Sequence, residues 1–165
     1  MAARRPSRCA HRIEVQVARP FRGAVRAPWL RRIARQVLLA EGAGPTELGV
    51  VVTNDATIRE LNRRYLGLDE PTDVLSFGLG EQGDRPFALP PGEAASLGEV
   101  IISCPTAVRQ AEEQGHSVPA EVAHLLVHGI LHLLGYDHRE AEDERVMRRR
   151  EGEILADLDL EGASF

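Results

Sequence analysis

Four of the six histidines in this chain fall between residues 124 and 138, in the run HLLVHGILHLLGYDH. No other segment restricts the fold so tightly. Val122, Leu125, Leu126, Val127, Ile130, Leu131, Leu133 and Leu134 surround these histidines. The segment therefore reads as a helix apolar on most faces, opened by Ser117 and Pro119 and running to Leu134. On such a helix His128 and His132 lie about 40° apart in azimuth and about 6 Å apart along the axis. Two imidazoles so placed can converge on one metal ion, each at about 2.0–2.1 Å. The next helical turn cannot supply a third donor to the same ion. Gly135 permits a left-handed helix end, and His138 can then swing back to complete a facial set of three.

The spacing H-x-x-x-H-x-x-G-x-x-H is that of the metzincin zinc site. In those proteases a Glu directly follows the first His and acts as general base. Here that position is Gly129. The metal site is kept, and peptidase or amidase chemistry of that type is not supported. Three neutral imidazoles grouped in a core would leave polar atoms needing partners. A closed structural zinc site would need a fourth protein ligand, and no cysteine pair exists. Three histidines with an open position form the catalytic arrangement, with a metal-bound water as the reactive group. Imidazole ligation favours zinc, though nickel, iron or copper also fit. His124, one turn earlier, reads as a substrate or outer contact, or as core. Asp137 and Asp73 are carboxylates able to orient a ligand imidazole; the alternatives are a turn role for Asp137 and a capping or surface role for Asp73. His11 and His116 are expected at the surface.

The rest of the chain interleaves strands and helices. His11–Ala18 alternates as a half-buried strand. A helix follows from about Pro28, with Trp29, Ile33, Val37 and Leu38 inward, and stops at Gly42. Leu48–Thr53 is an apolar run suited to a central strand. Asn54 and Asp55 cap a helix carrying Ile58, Leu61, Tyr65 and Leu66, which Gly67 ends. Strands are expected over Thr72–Leu79 and Leu97–Ser103, with a Gly- and Pro-rich loop over 80–95 between them. A helix from Pro105 to about Gln114 precedes the histidine helix. A last helix over 141–158 is expected to face Val146, Ile154 and Leu155 inward. This pattern defines one α/β or α+β domain of 165 residues, long enough to bury a real core.

Charge and composition exclude several functions. Hydrophobic residues make up 43% of the chain, yet no apolar run is long enough to cross a bilayer. Cys9 and Cys104 form no paired motif, which favours a reducing, cytoplasmic setting. All 20 basic residues are Arg, so a P-loop, a Schiff-base lysine and a lysine general base are impossible. Residues 1–40 carry ten Arg and one acid, a charge of +9, while residues 41–165 carry −14. The first ten residues read as a disordered Arg-rich tail. The basic start as a whole is either a phosphate-binding face flanking the histidine cleft or a solvated helix face.

The run HGILHLLGYDH resembles the signature of the YbeY family of rRNA maturation endoribonucleases. Leu61-Asn62 with Tyr65, followed by PTDVLSF (Pro71–Phe77), is similar to that family's central motif. LGEVIIS (Leu97–Ser103) is similar to its fourth strand, and the segments flanking the histidines agree as well. The resemblance covers roughly residues 45–158. It implies an α+β single domain over 11–165, with a small mixed four-stranded sheet, about five helices and a metzincin-like histidine helix. It implies one Zn2+ per chain on His128, His132 and His138, and a single-strand-specific endoribonuclease. The implied work is maturation of the small-subunit rRNA 3′ end and ribosome quality control. The implied partners are precursor rRNA, the small subunit, a ribosomal protein or an assembly GTPase, with no membrane. The family usually carries Arg directly after the central Tyr, where this chain has Leu66. Arg63 or Arg64 would have to stand in for it. Failing that, the protein is a ribosome-assembly factor that binds RNA or a ribosomal protein with little turnover.

Overall fold

The computed structural model describes residues 11–78, 95–137 and 139–160. The tail expected over 1–10, nearly all of the loop expected over 80–95, and His138 lie outside the described residues. Four strands form one mixed sheet in the order β1-β2-β4-β3. β1 (Arg12–Val17) pairs in parallel with β2 (Thr46–Thr53), and β2 in parallel with β4 (Ala95–Ser103). β3 (Val74–Gly78) lies antiparallel on the far side of β4. The valine-rich run of β2 is central, as its continuous apolar character requires.

Four α-helices pack on this sheet, α1 (Ala27–Ala40), α2 (Asp55–Leu66), α3 (Cys104–Gln114) and α4 (Val118–Leu133), and a fifth, α5 (Ala141–Asp157), packs on α4. Val50, Val52, Val100 and Ile102 share one sheet face and bury against α1 and α4 in the main core. The alternating residues Val51, Leu75, Ile101 and Phe77 meet Ile58 of α2 on the opposite face. The histidine helix α4 therefore lies between the sheet and α5. Leu126, Ile130 and Leu131 are fully buried there, each contributing about 1.5–3 kcal/mol. At Gly129 the helix comes so close to the sheet that an added Cβ would lie 2.7 Å from Cγ1 of Val100. The Ser76 hydroxyl donates to the Gly129 carbonyl at 3.2 Å across the same contact.

Several expectations need correction. Trp29, Ile33, Val37 and Leu38 are inward on α1 as expected. On α5 the inward stripe is Met147, Glu151 and Ile154, whereas Val146 is exposed. The stripe is displaced because a carboxylate occupies its middle, which hides the period from hydrophobicity alone. On α2 only Ile58 and Asn62 are buried, and Tyr65 and Leu66 are exposed. Among the described residues, no N-terminal arginine lines the cleft beside His124 and His128. Arg22 Nε donates to the Val17 carbonyl and Arg31 Nε to the Ile13 carbonyl, both at 3.2 Å. Arg32 reaches the Asp159 carbonyl at 3.0 Å. Arg31 and Arg32 fasten β1 and the chain beyond α5 onto α1, and Arg22 ties the end of β1 to the turn that follows it.

His116 is exposed, as expected, whereas His11 is buried. His116 Nε2 lies 2.5 Å from Oε2 of Glu121, whose side chain is buried at the start of α4. His11 is only 8% exposed, and among the described residues neither ring nitrogen has a hydrogen-bond partner. Burial, and secondarily the nearby Arg35 guanidinium, hold the His11 pKa below its ordinary 6.5. The folded state therefore binds fewer protons here than the unfolded chain. The resulting stability is complete above about pH 6.5 and is lost as pH falls through the lowered folded value. Urea unfolding at pH 7.5 and pH 5 should show a larger loss at low pH in the wild type than in His11→Leu. Equal losses in the two proteins would contradict this role for His11.

Candidate active site

Helix α4 begins where the Ser117 hydroxyl accepts from the Ala120 amide at 3.2 Å, with Pro119 in the first turn. Its apolar residues face the sheet and α1, leaving the partly exposed face to His124, His128 and His132. The rings of His128 and His132 lie 6.3 Å apart with planes inclined at 62°. The helix ends in a Schellman arrangement around Gly135, at φ +105°. The Gly135 amide donates to the His132 carbonyl and the Tyr136 amide to the Leu131 carbonyl, both at 3.1 Å. The chain reverses at Gly135, as the sequence requires. That reversal returns the Tyr136 carbonyl to Nδ1 of His132, at 3.0 Å.

His128 is held from the other side. Its Nδ1 hydrogen-bonds Oε1 of Glu151 on α5, and the second oxygen of Glu151 lies 3.4 Å from Nε2 of His124. Burial pushes the Glu151 carboxyl up, but the hydrogen bonds and charges of His124 and His128 together outweigh it, leaving the group at about 2. The bond to Glu151 in turn raises His124 above the usual imidazole range, against the effect of its own burial. Both ring Nδ1 atoms of the His128–His132 pair thus face a fixed acceptor. The acceptor sets the Nδ1–H tautomer and turns the unprotonated Nε2 to the opposite ring edge. The donor set fits a metal of the zinc type. Among the described residues no three His, Cys, Asp or Glu side chains converge on one point, and His138 is not among them.

A cleft of about 520 Å³ opens beside these histidines, lined by His124, His128, Glu151, Met147, Glu144 and Arg148 among others. A larger groove of about 770 Å³ runs between the end of β1 and the start of α1, with no histidine among its described lining residues. Of the remaining sequence candidates, Asp73 lies near enough to His124 for its charge to help raise that imidazole's pKa, while its hydrogen bonds are made elsewhere. The Asp73 carboxylate accepts from the Val74 amide at 2.8 Å and from Gln110 at 3.3 Å. Asp137 pairs with Arg139 at 3.0 Å. Arg63 pairs with Glu60 at 2.7 Å, and Arg63, Arg64 and Leu66 sit on α2, which packs on the sheet face opposite α4. The orienting groups are instead Glu151 and a backbone carbonyl. Glu151 was detectable in principle, as the one acid on the buried stripe of α5. The Tyr136 carbonyl carries no side-chain signature.

Paired imidazoles on a central helix, each anchored at Nδ1, with His128 opening on a cleft, form an arrangement found in histidine-based metal hydrolases. Comparison with known proteins narrows that class. Residues 20–159 match the family model described as Endoribonuclease YbeY. A protein of that name from Dehalococcoides mccartyi is 51% identical over 143 residues, covering 82% of this chain and 89% of its own. One from Moorella thermoacetica is 52% identical over 133 residues, covering 79% and 85%. One from Roseiflexus castenholzii is 45% identical over 150 residues, covering 90% and 93%. The solution structure of TM1509 from Thermotoga maritima shares the fold at a TM-score of 0.58, with 24% identity over 87% of this chain and 86% of that one. The chain belongs to the YbeY endoribonuclease family, whose members are metal-dependent nucleases hydrolysing RNA phosphodiester bonds. The match begins at residue 20, well before the motifs that carry the resemblance in the sequence.

Proposed function

We propose that this protein is a zinc-dependent, single-strand-specific endoribonuclease acting in small-subunit rRNA 3′-end maturation and ribosome quality control. The observation that carries this reading is the double anchoring of His128 and His132 at Nδ1, by Glu151 and by the Tyr136 carbonyl. Rings held that way offer Nε2 without further rotation. His138 is the third donor in this reading, giving one ion per chain. Zinc held there would supply Lewis acidity toward a phosphodiester and its water nucleophile. The chain's own part is positional. Glu151 keeps the proton of His128 at Nδ1 and fixes the ring plane. His124 and Arg148 line the cleft and can donate to phosphate oxygens as charge grows on them. A single strand bends into such a cleft more readily than a duplex. The partners in this reading are precursor rRNA within the small subunit, a ribosomal protein or an assembly GTPase, in the cytoplasm. Among the described residues no helix is long and apolar enough to cross a membrane.

The test is cleavage of a single-stranded small-subunit rRNA 3′ fragment. The metal-loaded protein should cut it, leave the same sequence intact in a duplex, stop in excess chelator, and resume when zinc is restored. His132→Ala, purified identically, controls for contaminating nuclease, and equal cleavage by both proteins would overturn the assignment. Zinc binding by the wild type without cleavage would favour an assembly factor with little turnover. Leu66, at the position where the family usually carries Arg, is the observation in favour of that second reading.

A further inference from the structure

Helix α5 reaches the two anchored histidines by two routes that begin at adjacent residues. Glu151 meets His128 directly. Arg150 points about 100° away around the helix. Its Nε bonds Oε1 of Glu41, the residue that ends α1. One terminal nitrogen donates to the Ala40 carbonyl at 2.8 Å, and the other to Glu153 at 3.0 Å. The second oxygen of Glu41 accepts the Tyr136 hydroxyl at 2.8 Å. The Tyr136 carbonyl is the acceptor for Nδ1 of His132. A chain of polar contacts therefore runs from α5, through the end of α1, to the turn that follows α4, and finishes on a ring.

This chain differs from the exposed ion pairs elsewhere on α5. The Glu41 side chain is 12% exposed and that of Arg150 29%, whereas in the Arg148–Glu144 pair the figures are 75% and 45%. A planar guanidinium bridging a carboxylate and a carbonyl fixes direction as well as distance. It is needed where it acts. Tyr136 lies beyond the last turn of α4, where backbone ordinarily frays and a carbonyl is free to tilt. The Schellman bonds hold the Tyr136 amide, but they leave the direction of its carbonyl to whatever holds the side chain.

We propose that Arg150, Glu41 and Tyr136 form a positioning brace for His132, fixing the Tyr136 carbonyl so that the ring stays in its Nδ1–H tautomer. The three are positioning residues, acting on His132 through the turn. Through this brace and through Glu151, one turn of α5 holds both histidines of the pair. The proposal rests on the metal-site reading given above for its function, but not for its test.

The test uses Tyr136→Phe, which keeps the ring and removes only the hydroxyl, with Glu41→Gln as a second variant that keeps shape and an acceptor oxygen. Ring 15N shifts of His132 and His128 in metal-free protein report the tautomers directly. Competition with a chromogenic chelator reports zinc affinity. Tyr136→Phe should move His132 to a mixture of tautomers, leave His128 unchanged, and weaken zinc binding about three- to tenfold, less than the 10–100-fold typical of a direct outer partner. Glu41→Gln should fall between wild type and Tyr136→Phe. Wild-type His132 shifts in both variants would overturn the brace, as would equal changes at His128 and His132, which mark a general loosening. If the wild type binds no zinc, the metal reading falls, while a His132-specific tautomer change still upholds the brace.

Discussion

His128→Ala should lose stoichiometric zinc altogether, and RNA cleavage with it, while Glu151→Ala should keep a weakened site. The contrast follows from what each side chain does. His128 is a donor in the proposed set, so its truncation leaves two ligands where an ion needs at least three. Glu151 is bonded to Nδ1 of the same ring, and its removal frees the tautomer and rotation without removing a donor. Losing such a partner costs about 10–100-fold in metal affinity or activity. Both variants also lose stability in the metal-free state. In His128→Ala the buried Glu151 carboxylate keeps only the 3.4 Å contact to His124, and half-breaking a buried pair is costly. Thermal unfolding of each variant against metal-free wild type separates that loss from the loss of zinc. Metal analysis after dialysis reads the rest. Stoichiometric zinc retained by His128→Ala would refute the ligand assignment.

Gly129→Glu, the change that would restore the metzincin base, should yield no peptidase and should destabilise the protein by about 3 kcal/mol or more. The reason lies in how α4 seats on the sheet. A Cβ at 129 would stand 2.7 Å from Cγ1 of Val100 and 3.1 Å from the Ser76 hydroxyl. Val100 is fully buried and β-branched, so it has no rotamer to retreat into. Even alanine trades a helix-propensity gain of about 1 kcal/mol against an overpacking cost of about 1–3 kcal/mol. Glutamate adds a carboxylate at a helix–sheet contact where no cation lies among the near neighbours. Urea denaturation measures the difference, and a Gly129→Glu protein within about 1 kcal/mol of wild type would contradict this packing argument. The missing base and the close seating of the histidine helix are thus one fact. The backbone that aims His128 outward is held by the residue next to it.

The histidine helix and its reversal at Gly135 were legible because a 3.6-residue period and a positive φ leave local marks. The central position of β2 was legible for a similar reason, since its valine run suits a strand flanked on both sides. What escaped was non-local. Glu151 lies 23 residues from His128, and only the packing of α5 on α4 joins them. The inward stripe of α5 was placed on Val146 rather than Met147 because its middle member is charged. His11 looked like a surface residue at the start of a strand, and nothing short of the position of α1 says otherwise. Of the carboxylates picked from the sequence, Asp137 pairs with Arg139, and Asp73 accepts from the Val74 amide and from Gln110. Proximity along the chain favoured Asp137, whereas the carboxylate bonded to His128 is the more distant Glu151.

The two arginines that reach the outer carbonyls of β1 have a consequence for how this sheet meets other molecules. β1 is an outermost strand, and such a strand ordinarily offers its backbone to any extended peptide that drifts by. With the Ile13 and Val17 carbonyls already engaged by Arg31 and Arg22, an incoming strand would have to evict two guanidinium groups before it could form a ladder. Part of the concentrated positive charge at the start of the chain thereby acts as a guard against strand-on-strand polymerisation, hindering the edge from recruiting further copies of the chain.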